Sequence, residues 1–193
     1  MRLILGDDGM KHVGTIPLET DRLILRRLTI EDSDEMFTNW TSDYKVTKYL
    51  TWHTYQSVET AQDFLIQMEK DYFDLSTYVW GIMIKETHEL IGTISVVDID
   101  EKTYTMELGY CIGSLWWGHG YAPEALERII EYLFDMTDVN RIEAKHDDNN
   151  PNSGRVMTKC HMRFEGILRD KGLNNNGVCD EVCYSILRRE YGY

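Results

Sequence analysis

No run in this sequence approaches the ~18 apolar residues that a membrane-crossing helix needs, so no transmembrane span and no membrane partner is expected. The opening Met1-Arg-Leu-Ile-Leu is too short for a signal peptide, and Gly6-Asp-Asp-Gly stops it. Cysteine is sparse, with residues at 111, 160, 179 and 183 and no C-x-x-C pair, and His146 and His161 stand at no zinc-finger spacing. No metal is therefore expected, and the thiols read as reduced and mostly buried in a cytoplasmic protein. Basic residues are also short: 20 Lys plus Arg against 33 Asp plus Glu, a net charge of −13. Nucleic acid is disfavoured as a partner, because phosphate contacts need a basic face. A basic substrate, an amine or a cationic peptide, suits that charge, although solubility alone also explains it. Repeats, low-complexity segments and an interdomain linker are all missing. A chain of 193 residues then bounds one sizeable core.

What is present is organised around Tyr104 to Phe134. Tyr104, Met106, Leu108, Tyr110 and Ile112 alternate with Thr105, Glu107, Gly109 and Cys111, the period of a strand with one apolar face. A turn punctuated by glycine, Gly113 to Tyr121, follows. Ala122, Ala125, Leu126, Ile129, Ile130, Leu133 and Phe134 then recur at three- and four-residue steps, a buried helix stripe. Pro123 sits in the first turn, where its missing N–H costs nothing.

A strand, a glycine turn and a helix start make an anion seat. The first N–H groups of a helix have no internal partner and carry the positive end of the macrodipole. Gly118 and Gly120 let the backbone approach a ligand closely. The turn is no Walker loop, since no Lys-Ser or Lys-Thr follows Gly120, and it lacks the third glycine of the dinucleotide fingerprint. The Gly-x-Gly alone fits a plain tight connection equally well.

The wider stretch is more specific. Met106-Glu-Leu-Gly-Tyr-Cys-Ile followed by Trp117-Gly-His-Gly-Tyr-Ala-Pro-Glu-Ala-Leu resembles the acetyl-CoA motif of the GNAT superfamily of N-acetyltransferases. It is most similar to the branch that holds the ribosomal-protein-alanine N-acetyltransferases. Thr20-Asp-Arg-Leu-Ile-Leu-Arg resembles the start of the same branch. The resemblance implies that backbone amides of Trp117, Gly118, His119, Gly120, Tyr121 and Ala122 hold the CoA pyrophosphate. It also implies that Tyr110, Cys111 and Ile112 border the pantetheine arm. Leu115 stands where the superfamily often has Arg or Gln, but the amides carry the binding.

A second block, Asn150-Pro-Asn-Ser, then a helix ending Lys159-Cys-His-Met, then Glu165-Gly, also resembles the family, with His161 in place of its glycine. By that resemblance Asn150 bonds the pantetheine arm, and Ser153 lies near the CoA sulfur, able to protonate or orient the leaving thiolate. Helix capping explains Asn and Ser at such a start just as simply. The two blocks in this order favour cofactor contact.

Elsewhere, residues 1–17 read as a flexible arm and 18–193 as one acetyltransferase domain. Thr29-Ile-Glu-Asp has the form of a capping box, with Asp at its end. Tyr44, Tyr49, Trp52, His53 and Tyr55 crowd a polar connector. They either line a binding surface or cover the core under a loop. In the family this region walls the acceptor site, so Trp52, His53 and Tyr55 are candidate substrate residues. Ser57 starts a helix with the stripe Val58, Ala61, Leu65, Met68 and Tyr72. Runs at 78–84, 90–97 and 104–112 predict an antiparallel meander, with further strands at 139–146, 163–169 and 178–187 and a turn from Lys171 to Gly177.

Acetyl transfer needs a neutral amine, a donor for the carbonyl oxygen and a proton for the thiolate. An N–H between Leu108 and Ile112 can serve the carbonyl, and a bulge there would open a slot. Glu107 is the candidate base, next to that slot. An ordinary solvated glutamate and a water relay are the alternatives, and His53 and His146 are weaker candidates. The expected fold is a single α/β (α+β) domain of the GNAT type, with a mixed, mostly antiparallel sheet of six or seven strands and about four helices. The expected activity is acetyl-CoA-dependent N-acetylation of a protein N-terminus, such as a ribosomal protein's, or of a small-molecule amine. The resemblance also admits a homodimer. An acyltransferase for longer acyl-CoA and a silent acyl-CoA-binding regulator are the rival readings.

Overall fold

The computed structural model describes residues 9–192. Eight strands form one sheet: β1 (Leu18–Glu19), β2 (Leu23–Arg26), β3 (Val79–Ile84), β4 (Leu90–Asp100), β5 (Thr105–Ile112), β6 (Arg141–Asp147), β7 (Arg163–Asn174) and β8 (Gly177–Leu187). Their order is β1-β2-β3-β4-β5-β6-β8-β7, and every pair is antiparallel except β5 with β6. The expected meander is β3-β4-β5. The strand beyond the expected seven is β1, whose two residues are too few to show a period. Five α-helices accompany the sheet: α1 (Ser33–Met36), α2 (Tyr44–Thr47), α3 (Val58–Asp71), α4 (Tyr121–Met136) and α5 (Pro151–Lys159). Two of these are single turns, hence the lower count expected from periodicity.

The helices cover both faces. On one side α4 and α5 pack Ala125, Leu126, Ile129, Ile130, Leu133 and Met157 against Ile91, Ile94, Met106, Leu108 and Ile142. All of these are buried, as the stripe predicts. Each fully buried Leu or Ile adds about 1.5–3 kcal/mol relative to exposure. On the other side Ala61 and Leu65 of α3 meet Leu28, Met36, Trp40 and Leu90. Tyr72 closes that layer. Its buried phenol accepts from Leu28 N at 3.0 Å and donates to the Val79 carbonyl at 3.0 Å. At Thr29 the backbone N–H donates to Asp32 Oδ2 at 2.8 Å, so Asp does close the capping box.

The expected flexible arm is corrected for the part that is described; residues 1–8 lie outside the described residues. Tyr132 donates to the Gly14 carbonyl at 2.6 Å and Trp80 Nε1 to that of Ile16 at 2.7 Å, while Val13 N donates to Tyr78 Oη at 3.0 Å. Met10 is 5% exposed. A polar, glycine-rich sequence hid these partners because they belong to distant strands and to α4. The expected turn at 171–177 is also shorter, since β7 runs to Asn174 and β8 begins at Gly177.

Two irregularities shape the middle of the sheet. The β4–β5 register shifts between Val96 and Asp98, so the bulge falls on β4 and not on β5 as expected. A Cβ on Gly109 would sit 2.9 Å from Val97 Cγ1, so a side chain there would push the bulge away. The second is a parting of strands. β5 and β6 pair only at Thr105↔Arg141, Met106↔Ile142 and Glu107↔Glu143, while β6 stays paired with β8 to Asp147. Beyond Glu107 a gap opens, and alternate backbone groups of β5 facing it have no strand partner.

Candidate active site

The gap is the floor of a cleft of about 750 Å³. Tyr110, Cys111 and Ile112 of β5 line it, as do Trp117, Gly118, Gly120, Tyr121 and Ala122 of the turn and Asn150 and Ser153 at the start of α5. Residues that lie 43 apart in sequence meet there because β5 and β6 diverge and α4 and α5 close the same face.

The turn presents a row of free backbone donors. Gly120 sits before α4 with φ +83°, and Gly118 has φ +83° as well, a region that favours glycine. The N–H groups of Gly118, His119, Gly120, Tyr121 and Ala122 find no acceptor among the described residues. Such a row at a helix start, with the macrodipole behind it, is an anion site. His119 keeps its N–H in this row, although its side chain is turned from the cleft: its carbonyl accepts from Arg22 Nη1 at 3.0 Å, and its ring stacks 5.8 Å from that of Tyr121.

Four cations border the cleft: Lys45 and Lys48 near α2, and Arg155 and Lys159 on α5. No ion pair among the described residues involves them, and no Asp or Glu lines the cleft. In a chain of net charge −13 this concentration of unpaired positive charge fits a polyanion. The sequence reading passed over these residues, although Lys45/Lys48 and Arg155/Lys159 stand at helical spacing.

At the start of α5 neither polar residue caps the helix. The Asn150 side chain makes no capping bond. Ser153 Oγ lies 3.0 Å from Tyr110 Oη, and the phenol donates to the Ser153 carbonyl at 2.9 Å. Burial pushes the Tyr110 phenol far above its ordinary range, so it stays protonated. A Cβ on Gly154 would come within 2.5 Å of His146 Nε2, so only glycine lets α5 lie this close to β6. His146 Nε2 is thereby shut beneath the helix, outside the cleft lining. Burial also pushes the Cys111 thiol up, so no thiolate nucleophile stands in the cleft.

Glu107 lies on the last β5–β6 rung and outside the cleft lining. Lys145 Nζ donates to its Oε2 at 2.5 Å, and Oε1 has no donor among the described residues. Trp52, His53 and Tyr55 do not line the cleft either. Trp52 and Tyr55 pack on the α3-side core, 5.4 Å apart by ring centroid, which is the core-covering alternative. His53 Nδ1 bonds Asn175 Oδ1 at 2.8 Å, and Asn175 Nδ2 donates to the carbonyls of Thr47 and Trp52. The β7–β8 tip thus latches the connector. Tyr49, whose phenol donates to the Asn149 carbonyl at 2.9 Å, is the connector aromatic that reaches the cleft.

Among the described residues no helix is long and apolar enough to cross a membrane, and no group of three or more His, Cys, Asp or Glu is placed to hold a metal.

This architecture has known relatives. Residues 22–163 match the family model described as the acetyltransferase (GNAT) domain. Over 175 residues the chain is 37% identical to p20 of Bacillus licheniformis, an uncharacterized N-acetyltransferase, covering 90% of this chain and 97% of that one. It is 29% identical over 108 residues to the ribosomal-protein-serine acetyltransferase of Escherichia coli K12, covering 56% of this chain and 60% of that one. A GNAT-family acetyltransferase structure from Bacillus anthracis superposes with a TM-score of 0.79 at 26% identity, over 91% of this chain and all of that one. The open amides and unpaired cations of the cleft fit the phosphates of the family's co-substrate, and the chain belongs to the GNAT family of acetyltransferases, enzymes that use acetyl-CoA.

Proposed function

We propose that the chain moves an acetyl group from acetyl-CoA to a primary amine by direct attack within a ternary complex. One observation carries this reading: the unpartnered N–H row from Gly118 to Ala122 lies along a cleft that unpaired cations border and no carboxylate lines. The turn amides take the pyrophosphate, and Lys45, Lys48, Arg155 and Lys159 balance its charge and that of the 3′-phosphate. The pantetheine arm enters the gap between β5 and β6, where the free Asn150 amide bonds it.

The same gap arranges the chemistry. Backbone N–H groups of β5 between Leu108 and Ile112 that face the gap donate to the acetyl oxygen as charge grows there. Ser153 Oγ donates toward the departing sulfur while the Tyr110 phenol, turned from the Ser153 carbonyl, donates its proton to Oγ and holds the hydroxyl from behind. Glu107 removes the proton of the amine, directly or through one water, using Oε1 while Lys145 fixes Oε2.

The acceptor is an amine on a basic peptide or a small cationic molecule. The acidity of the chain supports this, as does the ribosomal-protein substrate in the name of the Escherichia coli relative. The four cysteines, free in the structure, support a cytoplasmic setting. Release of CoA thiol, assayed with serine- and alanine-ended peptides, polyamines and amine antibiotics, tests the proposal. Amine-dependent release by one class supports it. Tight binding of acetyl-CoA with no release by any amine makes the chain a binder instead.

A further inference from the structure

The glycines that open the turn also leave it underdetermined. With no Cβ at Gly118 or Gly120, rotation of the intervening peptide planes costs little. Something outside the turn has to decide which way those N–H groups point.

Arg22, just ahead of β2, is placed to do so. Its Nη1 donates to the His119 carbonyl at 3.0 Å, its Nε donates to Glu124 Oε2 at 2.7 Å, and its Cζ lies 4.7 Å from the centre of the Tyr121 ring. Its own backbone N–H donates to Glu124 Oε1 at 3.0 Å, and Thr20 Oγ1 donates to the same oxygen at 2.5 Å. The guanidinium fork therefore spans the turn and the first turn of α4 at once, which a lysine ammonium cannot reproduce.

The consequence follows from peptide geometry. In a planar trans peptide the C=O and the N–H point in opposite directions. The His119 carbonyl is drawn to Arg22, so the N–H of the same unit, that of Gly120, faces away from Arg22. Gly120 lines the cleft, and its N–H has no acceptor among the described residues. Glu124 would otherwise set an uncovered carboxylate near an arriving phosphate; Arg22 by itself engages both of its oxygens, Oε2 through Nε and Oε1 through its backbone N–H.

We propose that Arg22 is a positioning residue for cofactor binding: by holding the His119 carbonyl and covering Glu124, it aims the Gly120 N–H at the pyrophosphate of acetyl-CoA. This rests on the reading of the turn as the phosphate seat.

Calorimetry and amide NMR on the full chain test it, with acetyl-CoA as the probe. Arg22→Gln is expected to raise the acetyl-CoA Kd about ten-fold, and Arg22→Lys by less. In the parent the Gly120 amide proton moves downfield on addition of acetyl-CoA, and in Arg22→Gln that movement shrinks. Thr20→Val, which loosens Glu124 but leaves Arg22 on His119, is expected to lower the melting temperature with a Kd change below about three-fold. An unchanged Kd in folded Arg22→Gln, or equal weakening in Thr20→Val, overturns the assignment of Arg22 alone. A Gly120 amide that ignores acetyl-CoA in the parent overturns the phosphate seat and, with it, this inference.

Discussion

Lys145 Nζ sits 2.5 Å from Glu107 Oε2 and 3.5 Å from Glu143 Oε1, at the last rung before β5 and β6 part. The pair orients one carboxylate oxygen and leaves the other open at the edge of the gap. If Glu107 is the base, Glu107→Gln lowers kcat/KM by about 10² to 10⁴, the usual worth of a positioned base. Its acetyl-CoA affinity stays close to the parent's, because the side chain lies outside the cleft that receives the phosphates. A loss below about ten-fold, with the acidic limb of the pH–rate profile identical to the parent's, assigns the proton to a water relay instead.

Tyr110 and Ser153 are expected to act as a unit. Ser153→Ala lowers kcat more than it raises the acetyl-CoA Kd, because the hydroxyl is needed when the sulfur leaves. Tyr110→Phe lowers kcat several-fold in the parent and has little further effect on top of Ser153→Ala. Turnover of the two single variants and the double variant checks this. Additive losses would mean that the phenol acts elsewhere, and a change confined to melting temperature would make Ser153 structural only.

A different ion pair sets part of the acid response. Arg141 donates to both oxygens of Glu165, and with Ser185 it holds that carboxyl down to about 2, against an ordinary 4.5. A carboxylate held low stabilises the fold above its ordinary value, and that contribution fades as pH falls toward about 2. Glu165→Gln should therefore lower the urea midpoint at pH 6, and its gap to the parent should close on acidification. The side chain is 42% exposed, so salt should shrink the gap as well. A gap that is constant with pH contradicts the assignment.

The helices α3 and α4 were legible because their stripes repeat over three or more turns, and the strands β3 to β8 because they are long. The strand β1 and the helix α2 are too short for a period to develop. Of the cleft lining, the stretches on the Gly118–Ala122 turn, on β5 and at the start of α5 stand out in the sequence, since each sits in a motif of fixed local spacing. The contact that directs the His119 carbonyl was not legible, because its partner Arg22 stands 97 positions away. Trp52 and Tyr55 were ambiguous for a similar reason: aromatic density in a loop does not say which side of the loop meets the core. The cleft cations were hidden by the bulk charge of −13, which says nothing about where the 20 basic residues collect.

Gly120 offers the most direct measurement. Its φ of +83° strains any side chain, so Gly120→Asn, the neutral analogue, provides the baseline for Gly120→Asp. Calorimetric titration of acetyl-CoA into the two folded variants isolates the charge at the helix start. If the phosphates sit on the Gly118–Ala122 amides, Asp binds acetyl-CoA at least about ten-fold more weakly than Asn, a difference of ~1.4 kcal/mol. Equal dissociation constants in the two variants would contradict the phosphate seat.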